Sequence, residues 1–401
     1  MSSKAPNPRT ALAVGCTAHV VQDGLTAATY VLMPVLAQTF GFTYAQVGLI
    51  KGLKSLTQAV LEIYSGVLSE RIGEGRTLVF GLILSGIGYA SVAAAPDPML
   101  IAACLLIVGA GTAFQHSPSS ALVSTAYAEG GRRGALGLYN SSGDVGKLAF
   151  SGMFSLAIGA GFAWQHISFF LGFLTLLAAA GVAIAARHLK ARSAHSAARS
   201  EDCDPDESLG WGVLNWRSFG TLLVIISLDN VVQAGVLVFI AFLMIAKGLP
   251  LYVATMATVV LLTGGIFGKA GCGYLAERIG VCRAFVLVQV LTALGLISVI
   301  MAPAWLAFAL LLPLGVVAQG STSITYGLIP DLIHPRRMAR GYAIMYSSTS
   351  FAAALGPWLF GLIGDQYGIN VAVQAMAVVA LLAVPPIAFL PAFREVGRRS
   401  V

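Results

Sequence analysis

Long apolar stretches, separated by short connections rich in glycine, proline or charge, run along nearly all of this 401-residue chain. Each is long enough for a helix that crosses a bilayer, which needs about 20 apolar residues. A soluble protein has about 25% charged residues, so a chain that is 10% charged and 57% hydrophobic is not an ordinary globular enzyme. We therefore predict an all-α membrane protein with twelve transmembrane helices, at residues 11–38, 43–68, 77–95, 98–124, 133–157, 164–187, 216–246, 250–274, 282–302, 304–328, 339–364 and 369–393.

One long polar segment, Lys190 to Asn215, divides these spans into two sets of six. It begins basic and then becomes acidic, a pattern typical of a solvated linker. The predicted organisation is an N-terminal six-helix bundle at 1–188, a cytoplasmic linker at 189–215 and a C-terminal six-helix bundle at 216–401. The five cysteines have neither metal-ligand nor disulfide spacing, so the sequence predicts no metal site and no cofactor.

The basic residues predict how the chain is oriented. Of the 24 Lys and Arg residues, 19 fall on the two tails and on the connections after even-numbered spans. Short loops rich in Lys and Arg stay on the cytoplasmic side, so we expect both termini in the cytoplasm and the protein in the inner (plasma) membrane. The net charge of +7 follows from this topology, and no nucleic-acid partner is needed to explain it.

The second half of the chain repeats the first at an offset of 207 residues. GVLSERIGEGR begins at Gly66 and GYLAERIGVCR at Gly273, while RGALGLYNSS begins at Arg133 and RGYAIMYSST at Arg340. The matches keep their order, which predicts two pseudo-symmetric bundles. Secondary transporters with this architecture bind substrate near the membrane midplane.

The two GxLxERIGxxR segments resemble the loop motif of the major facilitator superfamily, and the resemblance covers nearly the whole chain. It implies that an acid of the motif caps a neighbouring helix and pairs with loop arginines, which holds one access state. Glutamate stands where the motif usually has aspartate, and the first copy lacks the second basic residue, which implies a weaker or differently paired gate. The matching residues are Gly66, Glu70, Arg71, Arg76, Gly273, Glu277, Arg278 and Arg283.

A closer resemblance concerns the first, fourth and fifth spans. His19 and Asp23, the segment GTAFQHSPSSA and the following GGRRGALGLYNSSGDVG are similar to the fosmidomycin-resistance branch of drug exporters. This resemblance implies efflux by alternating access, and the superfamily implies a monomer. It does not identify the substrate.

Ionisable side chains inside the spans are the candidate functional residues, because each is costly at mid-depth unless it is paired or hydrated. His19 and Asp23 are four residues apart and share one helical face. A carboxylate whose solvation changes between access states can gain and lose a proton, and histidine titrates near neutral pH. We predict Asp23 as the main proton-coupling acid with His19 as its partner, and Asp144 and Glu62 as further members. The alternative for His19 and Asp23 is a buried structural pair.

Lys54 has no acid at helical spacing, which predicts either a cross-helix ion pair with Asp23 or Asp144 or a site for an anionic group. Asp144 and Lys147 are three residues apart and favour a mutual ion pair, structural or functional. His116 lies before Pro118, which bends the fourth span and frees a backbone carbonyl. The predicted substrate-binding side chains are Lys54, His116, Tyr139, Asn140, Lys147, Asp229, Asn230, Gln233, Gln319 and Tyr346, with packing as the alternative for the two tyrosines.

The sequence thus predicts a proton-coupled secondary transporter of a small organic molecule, in the direction of efflux. Proton-linked uptake of a small organic anion is the alternative that Lys54 and Lys147 suggest. A non-transporting membrane sensor is an alternative of another class. The chain has no Walker A pattern and no nucleophile–base constellation, so neither direct ATP drive nor an enzyme is predicted.

Overall fold

The computed structural model describes residues 7–127, 130–187, 211–334 and 338–390. This part of the chain is helical apart from short connections and one isolated β-bridge between Val213 and Ile333. Its α-helices are α1 (Pro8–Phe40), α2 (Tyr44–Ile72), α3 (Glu74–Val92), α4 (Pro98–Ala113), α5 (His116–Ala126), α6 (Arg132–Gly159), α7 (Trp164–Arg187), α8 (Trp216–Ala246), α9 (Leu251–Ile279), α10 (Val281–Met301), α11 (Ala304–Tyr326), α12 (Met338–Tyr367) and α13 (Ile369–Leu382). Two 3-10 helices follow α11 and α13, at Ile329–Leu332 and Pro385–Phe389.

Each predicted span coincides with helix. In the described ranges, nine segments are both long and apolar enough to cross a membrane. Helices α2, α6 and α12 are also long enough, at 29, 28 and 30 residues, but they are more polar. These three correspond to predicted spans 2, 5 and 11. Two of them carry the charged residues that the sequence singled out.

The fourth predicted span is two helices rather than one. Helix α4 ends at Ala113 and α5 begins at His116. The break lies here because Pro118 has no N–H to donate to the carbonyl of Phe114, four residues earlier. His116 therefore occupies the first turn of a new helix at an irregular point of the backbone. The last predicted span is divided in the same way, since prolines begin the 3-10 helix that follows α13.

The sequence repeat is also a structural repeat. Helix α2 ends one residue before Gly73, and α9 ends one residue before Gly280, 207 positions later. The two glycines have nearly identical backbone angles, φ 88° and ψ 146° for Gly73 and φ 89° and ψ 146° for Gly280. A positive φ of this size favours glycine, so the duplicated motif makes the same turn in both halves.

Backbone contacts divide the chain into two compact units. The first comprises the described residues within Met1–Thr29 and Leu53–Ser208, and the second those within Tyr30–Gly52 and Leu209–Val401. The predicted linker lies mostly outside the described residues. The end of α1 and the start of α2 belong to the second unit, and the predicted domain bounds stay a prediction.

The second unit contains an apolar core formed by the C-terminal helices, with Phe219, Phe285 and Met345 among its fully buried members. Helix α2 packs directly on α12 within this unit, where a side chain at Gly48 or Gly52 would collide with carbonyl oxygens of α12. Only glycine allows the two backbones to approach so closely.

Candidate functional site

A buried charge cluster lies inside the first unit, at the junction of four helices. Helix α1 supplies two of its side chains, α2 and α5 one each, and α6 two. We call it the Asp23 cluster, and its members are His19, Asp23, Lys54, His116, Asp144 and Lys147.

Asp23 is the common acceptor of this cluster, and the residue is only 6% exposed. Its Oδ2 lies 3.2 Å from Nε2 of His19 and 3.1 Å from Nζ of Lys147. Its Oδ1 lies 3.8 Å from Nε2 of His116. Lys147 also reaches Oδ1 of Asp144 at 3.2 Å, as the three-residue spacing predicts. Three basic side chains from three helices therefore converge on one buried carboxylate.

The orientation of His19 determines where a proton must lie. Its Nδ1 is 2.9 Å from the carbonyl oxygen of Tyr139, and its ring stacks on the Tyr139 ring at 4.3 Å. A carbonyl only accepts hydrogen bonds, so Nδ1 carries hydrogen, and in a neutral ring Nε2 then has a lone pair. A lone pair facing an ionised carboxylate would be repulsive. The contact between His19 and Asp23 therefore contains a proton, either on the imidazole or on the acid.

Two glycines of α6 make this convergence possible. A Cβ at Gly143 would lie 2.5 Å from Nε2 of His19 and 2.8 Å from Oδ2 of Asp23. A Cβ at Gly146 would collide with the backbone carbonyl of Val20 on α1. Because neither residue has a side chain, α6 approaches α1 closely enough for Lys147 to reach Asp23. The GDVG segment, Gly143 to Gly146, is the sequence signal for this contact.

Lys54 is 1% exposed, and its Nζ donates a hydrogen bond to Oγ1 of Thr26 at 3.3 Å. Within the described residues it forms no ion pair, so the predicted salt bridge to Asp23 or Asp144 is not present. A buried ammonium with a single hydroxyl partner is unfavourable and attracts an anion. Of the two hypotheses for Lys54, this geometry favours a site for an anionic group.

Three atoms of the cluster can also bind a metal ion. His19, Asp23 and His116 offer one ligand atom each, and these atoms lie within 4.8 Å of one another. Imidazole and carboxylate together suit zinc and related divalent metals. However, the ammonium group of Lys147 already lies 3.1 Å from Asp23, and a divalent cation would have to displace it. The arrangement therefore favours a proton over a metal.

The remaining predicted residues of the first unit lie around the cluster. Tyr139 is 2% exposed and its hydroxyl accepts a hydrogen bond from Nε2 of Gln115 at 3.1 Å. Asn140, the next residue, is exposed. Glu62 is buried on α2, eight residues or about 12 Å beyond Lys54 along the helix axis. The structure therefore places Tyr139 in direct contact with His19 of the Asp23 cluster, whereas Asn140 and Glu62 lie farther out.

A second polar group lies inside the second unit and contains two predicted residues, Asp229 and Gln233 of α8. Sequence reasoning missed their partners Gln289 and Ser321, which come from α10 and α11. The signal for Gln289 is a single amide in a strongly apolar span. Asn230 and Gln319 are half-buried, and Tyr346 packs against two other tyrosines, with ring centroids 6.2 and 6.3 Å away.

The motif residues lie at the helix ends. Arg71, Arg76, Glu277 and Arg283 are exposed, and Gly66 and Gly273 are half-buried. The guanidinium of Arg278 lies 5.0 Å from the ring of Tyr274. The side chain of Glu70 is outside what the structure describes. Within the described side chains no ion pair joins Glu277 to an arginine, and the gating role of the motif stays a prediction.

Comparison with known proteins matches a family model over nearly the whole chain and individual relatives over shorter segments. A family model described as Major Facilitator Superfamily matches residues 16–271 and 252–400. The uncharacterized MFS-type transporter YfnC of Bacillus subtilis is 27% identical over 130 residues, 32% of this chain and 31% of that protein. The class G tetracycline resistance protein of Vibrio anguillarum is 33% identical over 134 residues, 32% and 34% of the two chains. The multidrug resistance protein MdtH of Cronobacter sakazakii is 31% identical over 98 residues, 23% and 24%.

These alignments span between a quarter and a third of the curated relatives' lengths. Two solved structures match over the full length. Both are of a bacterial homolog to the human lysosomal transporter Spinster, in inward-facing unoccupied and occupied conformations. Each has a TM-score of 0.78, 16% identity and coverage of 98% of both chains. The predicted all-α fold is confirmed, while the resemblance to the fosmidomycin-resistance branch stays a prediction.

Proposed function

Because the chain belongs to the major facilitator superfamily, we propose that it is a proton-coupled transporter that exports a small organic molecule by alternating access. The observation that carries the proposal is the geometry of the contact between His19 and Asp23, which requires a proton between them. The site is buried and charged, and it lies in the half of the repeat that holds most of the intramembrane charge.

Charge balance explains how this site couples proton and substrate. Once the proton of the His19–Asp23 contact has left, the Asp23 cluster contains two ammonium groups, two carboxylates and two neutral histidines and has no net charge. Protonation of Asp23 frees Lys147 from one of its two partners and leaves the cluster with a charge of +1. A cationic substrate therefore competes with the proton at Asp23, whereas an anionic group at Lys54 or Lys147 binds better when the proton is present, and this linkage is reciprocal.

Efflux is supported by relatives whose names refer to resistance to tetracycline and to multiple drugs. The second candidate is proton-linked uptake of a small organic anion. The buried ammonium group of Lys54, which has a hydroxyl partner and no acid partner among the described residues, favours it. We place the protein in the inner membrane with both termini in the cytoplasm, on the distribution of Lys and Arg. Membership of the superfamily supports a monomer.

Transport by purified protein in liposomes tests the proposal. An imposed pH gradient should drive movement of fosmidomycin, tetracycline or ethidium, which represent a phosphonate, a resistance substrate of a relative and a cationic dye. Asp23→Asn should abolish movement driven by the gradient. The matched control is Asp97→Asn, which makes the same chemical change at the N-cap of α4, where the side chain accepts hydrogen bonds from Met99 and Leu100.

The direction of movement separates the two transport candidates. In oriented vesicles, substrate that moves in the direction opposite to the proton flow indicates export, and substrate that moves in the same direction as the protons indicates uptake. Binding of a compound without movement in any orientation indicates a sensor. Full gradient-driven transport by Asp23→Asn would contradict the coupling role of this residue.

A further inference from the structure

A second buried carboxylate lies in the C-terminal half, far along the chain from the Asp23 cluster. Asp229 of α8 is 5% exposed. Its Oδ1 accepts a hydrogen bond from Nε2 of Gln289 at 2.6 Å, and its Oδ2 accepts one from Nε2 of Gln233 at 2.8 Å. Oγ of Ser321 lies 2.9 and 2.8 Å from the two oxygens. All three donors are neutral.

No charged side chain balances Asp229 within the described residues. The helices packed around α8 are α9, α11, α12 and α13, with the two 3-10 helices, and α10 supplies Gln289. None of their ionisable groups forms an ion pair with Asp229. Among the described side chains those groups are Tyr252, Lys269, Cys272, Tyr274, Glu277 and Arg278 on α9, Cys282 and Arg283 on α10, Tyr326 on α11, Asp331 on the first 3-10 helix, and Tyr342, Tyr346, Asp365 and Tyr367 on α12.

An ionised carboxylate in a membrane bundle is unfavourable without a cation, and hydrogen bonds from neutral groups offset only part of that cost. A bound proton removes the charge. The proton then needs an acceptor, and Oε1 of Gln289 is buried without a hydrogen-bond partner. When the amide rotates by half a turn, Oε1 replaces Nε2 beside Asp229 and accepts the new O–H. Gln289 therefore has a suitable partner atom for each protonation state of the acid.

The internal repeat shows that the fold does not need this polar pair. In the first half, the position equivalent to Gln289 at the 207-residue offset is Leu82, which is fully buried. When HVVQDG is aligned with NVVQAG, the position equivalent to Asp229 is Ala18, also fully buried. Two apolar residues thus suffice at these positions of a six-helix bundle.

We propose that Asp229 is a second proton-binding site, separate from the Asp23 cluster, with Gln289 as the positioning residue that stabilises both of its protonation states. During transport this site takes up a second proton, a role that rests on the proposed function. Binding of the proton itself does not depend on transport.

Infrared spectroscopy of the protein in lipid vesicles tests the site without a substrate. A protonated carboxyl group has a C=O stretching band that shifts in D₂O and disappears when the group ionises. The wild type should show such a band in a pH titration. Asp229→Asn should lose it, whereas Asp23→Asn and the control Asp97→Asn should retain it.

Gln289→Leu provides a second test of the site if Asp229→Asn does not fold. This variant introduces leucine, the residue that the first half has at the equivalent position, Leu82. The ionised acid loses a charge-assisted hydrogen bond and the protonated acid loses a weaker neutral one, so the midpoint of the band should move to higher pH by about one unit, a tenfold gain in proton affinity. A band that is identical in wild type and Asp229→Asn would overturn the proposal. So would a band that NaCl removes at constant pH, because the site would then bind sodium.

The two proposals fail separately. If Asp23→Asn transports normally while the Asp229 band persists, the assigned coupling role of Asp23 is wrong and the second site stands. If the band is absent while Asp23→Asn abolishes transport, the second site is wrong and the proposed function stands.

Discussion

Asp365, near the end of α12, binds the N-terminus of α2 with both carboxylate oxygens. Its Oδ1 accepts a hydrogen bond from the backbone N–H of Tyr44 at 2.7 Å, and its Oδ2 accepts one from Ala45 at 3.0 Å. The first N–H groups of a helix have no partner within the helix, and the helix dipole favours a negative charge there. All three residues belong to the second unit, where Gly361 also packs on the backbone of Tyr44 and Ala45.

We predict that Asp365→Ala weakens the contact between α2 and α12 by about 1.5 kcal/mol. Loss of a helix cap costs about 1 kcal/mol, and the charge at the helix end adds roughly 0.5 kcal/mol at an exposed position. Since 1.4 kcal/mol is a factor of ten, molecules with this contact open should become about tenfold more frequent. In an alternating-access cycle, the variant should therefore favour the state in which these helix ends separate.

Spin labels at Leu49 on α2 and Tyr367 on α12, both exposed, allow the separation to be measured as a distance distribution. The matched control is Asp97→Ala, which also removes two backbone hydrogen bonds at a helix N-terminus but within its own segment. Asp365→Ala should increase the population at long distance, and Asp97→Ala should not. An unchanged distribution in Asp365→Ala, or an equal change in both variants, would refute the reasoning.

Three further predictions concern the Asp23 cluster. Gly143→Ala should abolish proton-coupled transport in liposomes and destabilise the protein by about 1–3 kcal/mol in a thermal unfolding assay, because the added methyl group overpacks the contact between α1 and α6. The control Gly137→Ala lies on the same helix with free space around it and should have neither effect. Lys54→Met should weaken binding of anionic compounds at least about tenfold while preserving or raising thermal stability. The control Lys51→Met should leave anion binding intact, because the Lys51 ammonium group lies 4.6 Å from the centre of the Tyr30 ring. Equal losses of anion binding in both variants would contradict a specific anion site. Apparent affinity for a cationic export substrate such as ethidium should fall as the pH falls, because the proton at Asp23 leaves the cluster with a positive charge. Equilibrium binding of the same compound to Asp23→Asn should be nearly independent of pH. A wild-type profile in that variant would contradict the competition.

The fold could be predicted from the sequence because its signals are local and repeated. Apolar length identified the spans, and the GxLxERIGxxR motif located the duplicated turn at Gly73 and Gly280. The break before His116 follows from Pro118, although its consequence, two helices in place of one, required the structure. The contact-based units could not be predicted, because the packing of Gly48 and Gly52 on α12 joins residues that are hundreds of positions apart.

The candidate site could be predicted only where its contacts lie within one helix. The pairs His19–Asp23 and Asp144–Lys147 have helical spacing and are both present. The ion pair between Lys147 and Asp23 crosses from α6 to α1. The glycines of GDVG indicate that α6 approaches another helix closely, but they do not identify Asp23 as the partner.

The same limit explains the other missed partners. Asp229 was identified as an intramembrane acid, but Gln289 and Ser321 reach it from two other helices. The predicted ion pair of Lys54 is absent among the described residues because charge alone does not determine which side chains meet. Charge complementarity permitted it, but the packing brought Thr26 to the ammonium group instead.

Proton release on substrate binding tests the central claim most directly, because it requires no membrane potential and no transport. Purified protein in weakly buffered detergent solution, with a pH-indicator dye, would be mixed with each of fosmidomycin, tetracycline and ethidium, and binding would be followed in parallel by thermal shift. A compound that binds as a cation should release protons from the wild type, a compound that binds as an anion should take protons up, and Asp23→Asn should bind either one without this exchange. Equal proton exchange by both proteins, or binding to the wild type with no exchange at all, would contradict a transported proton at Asp23.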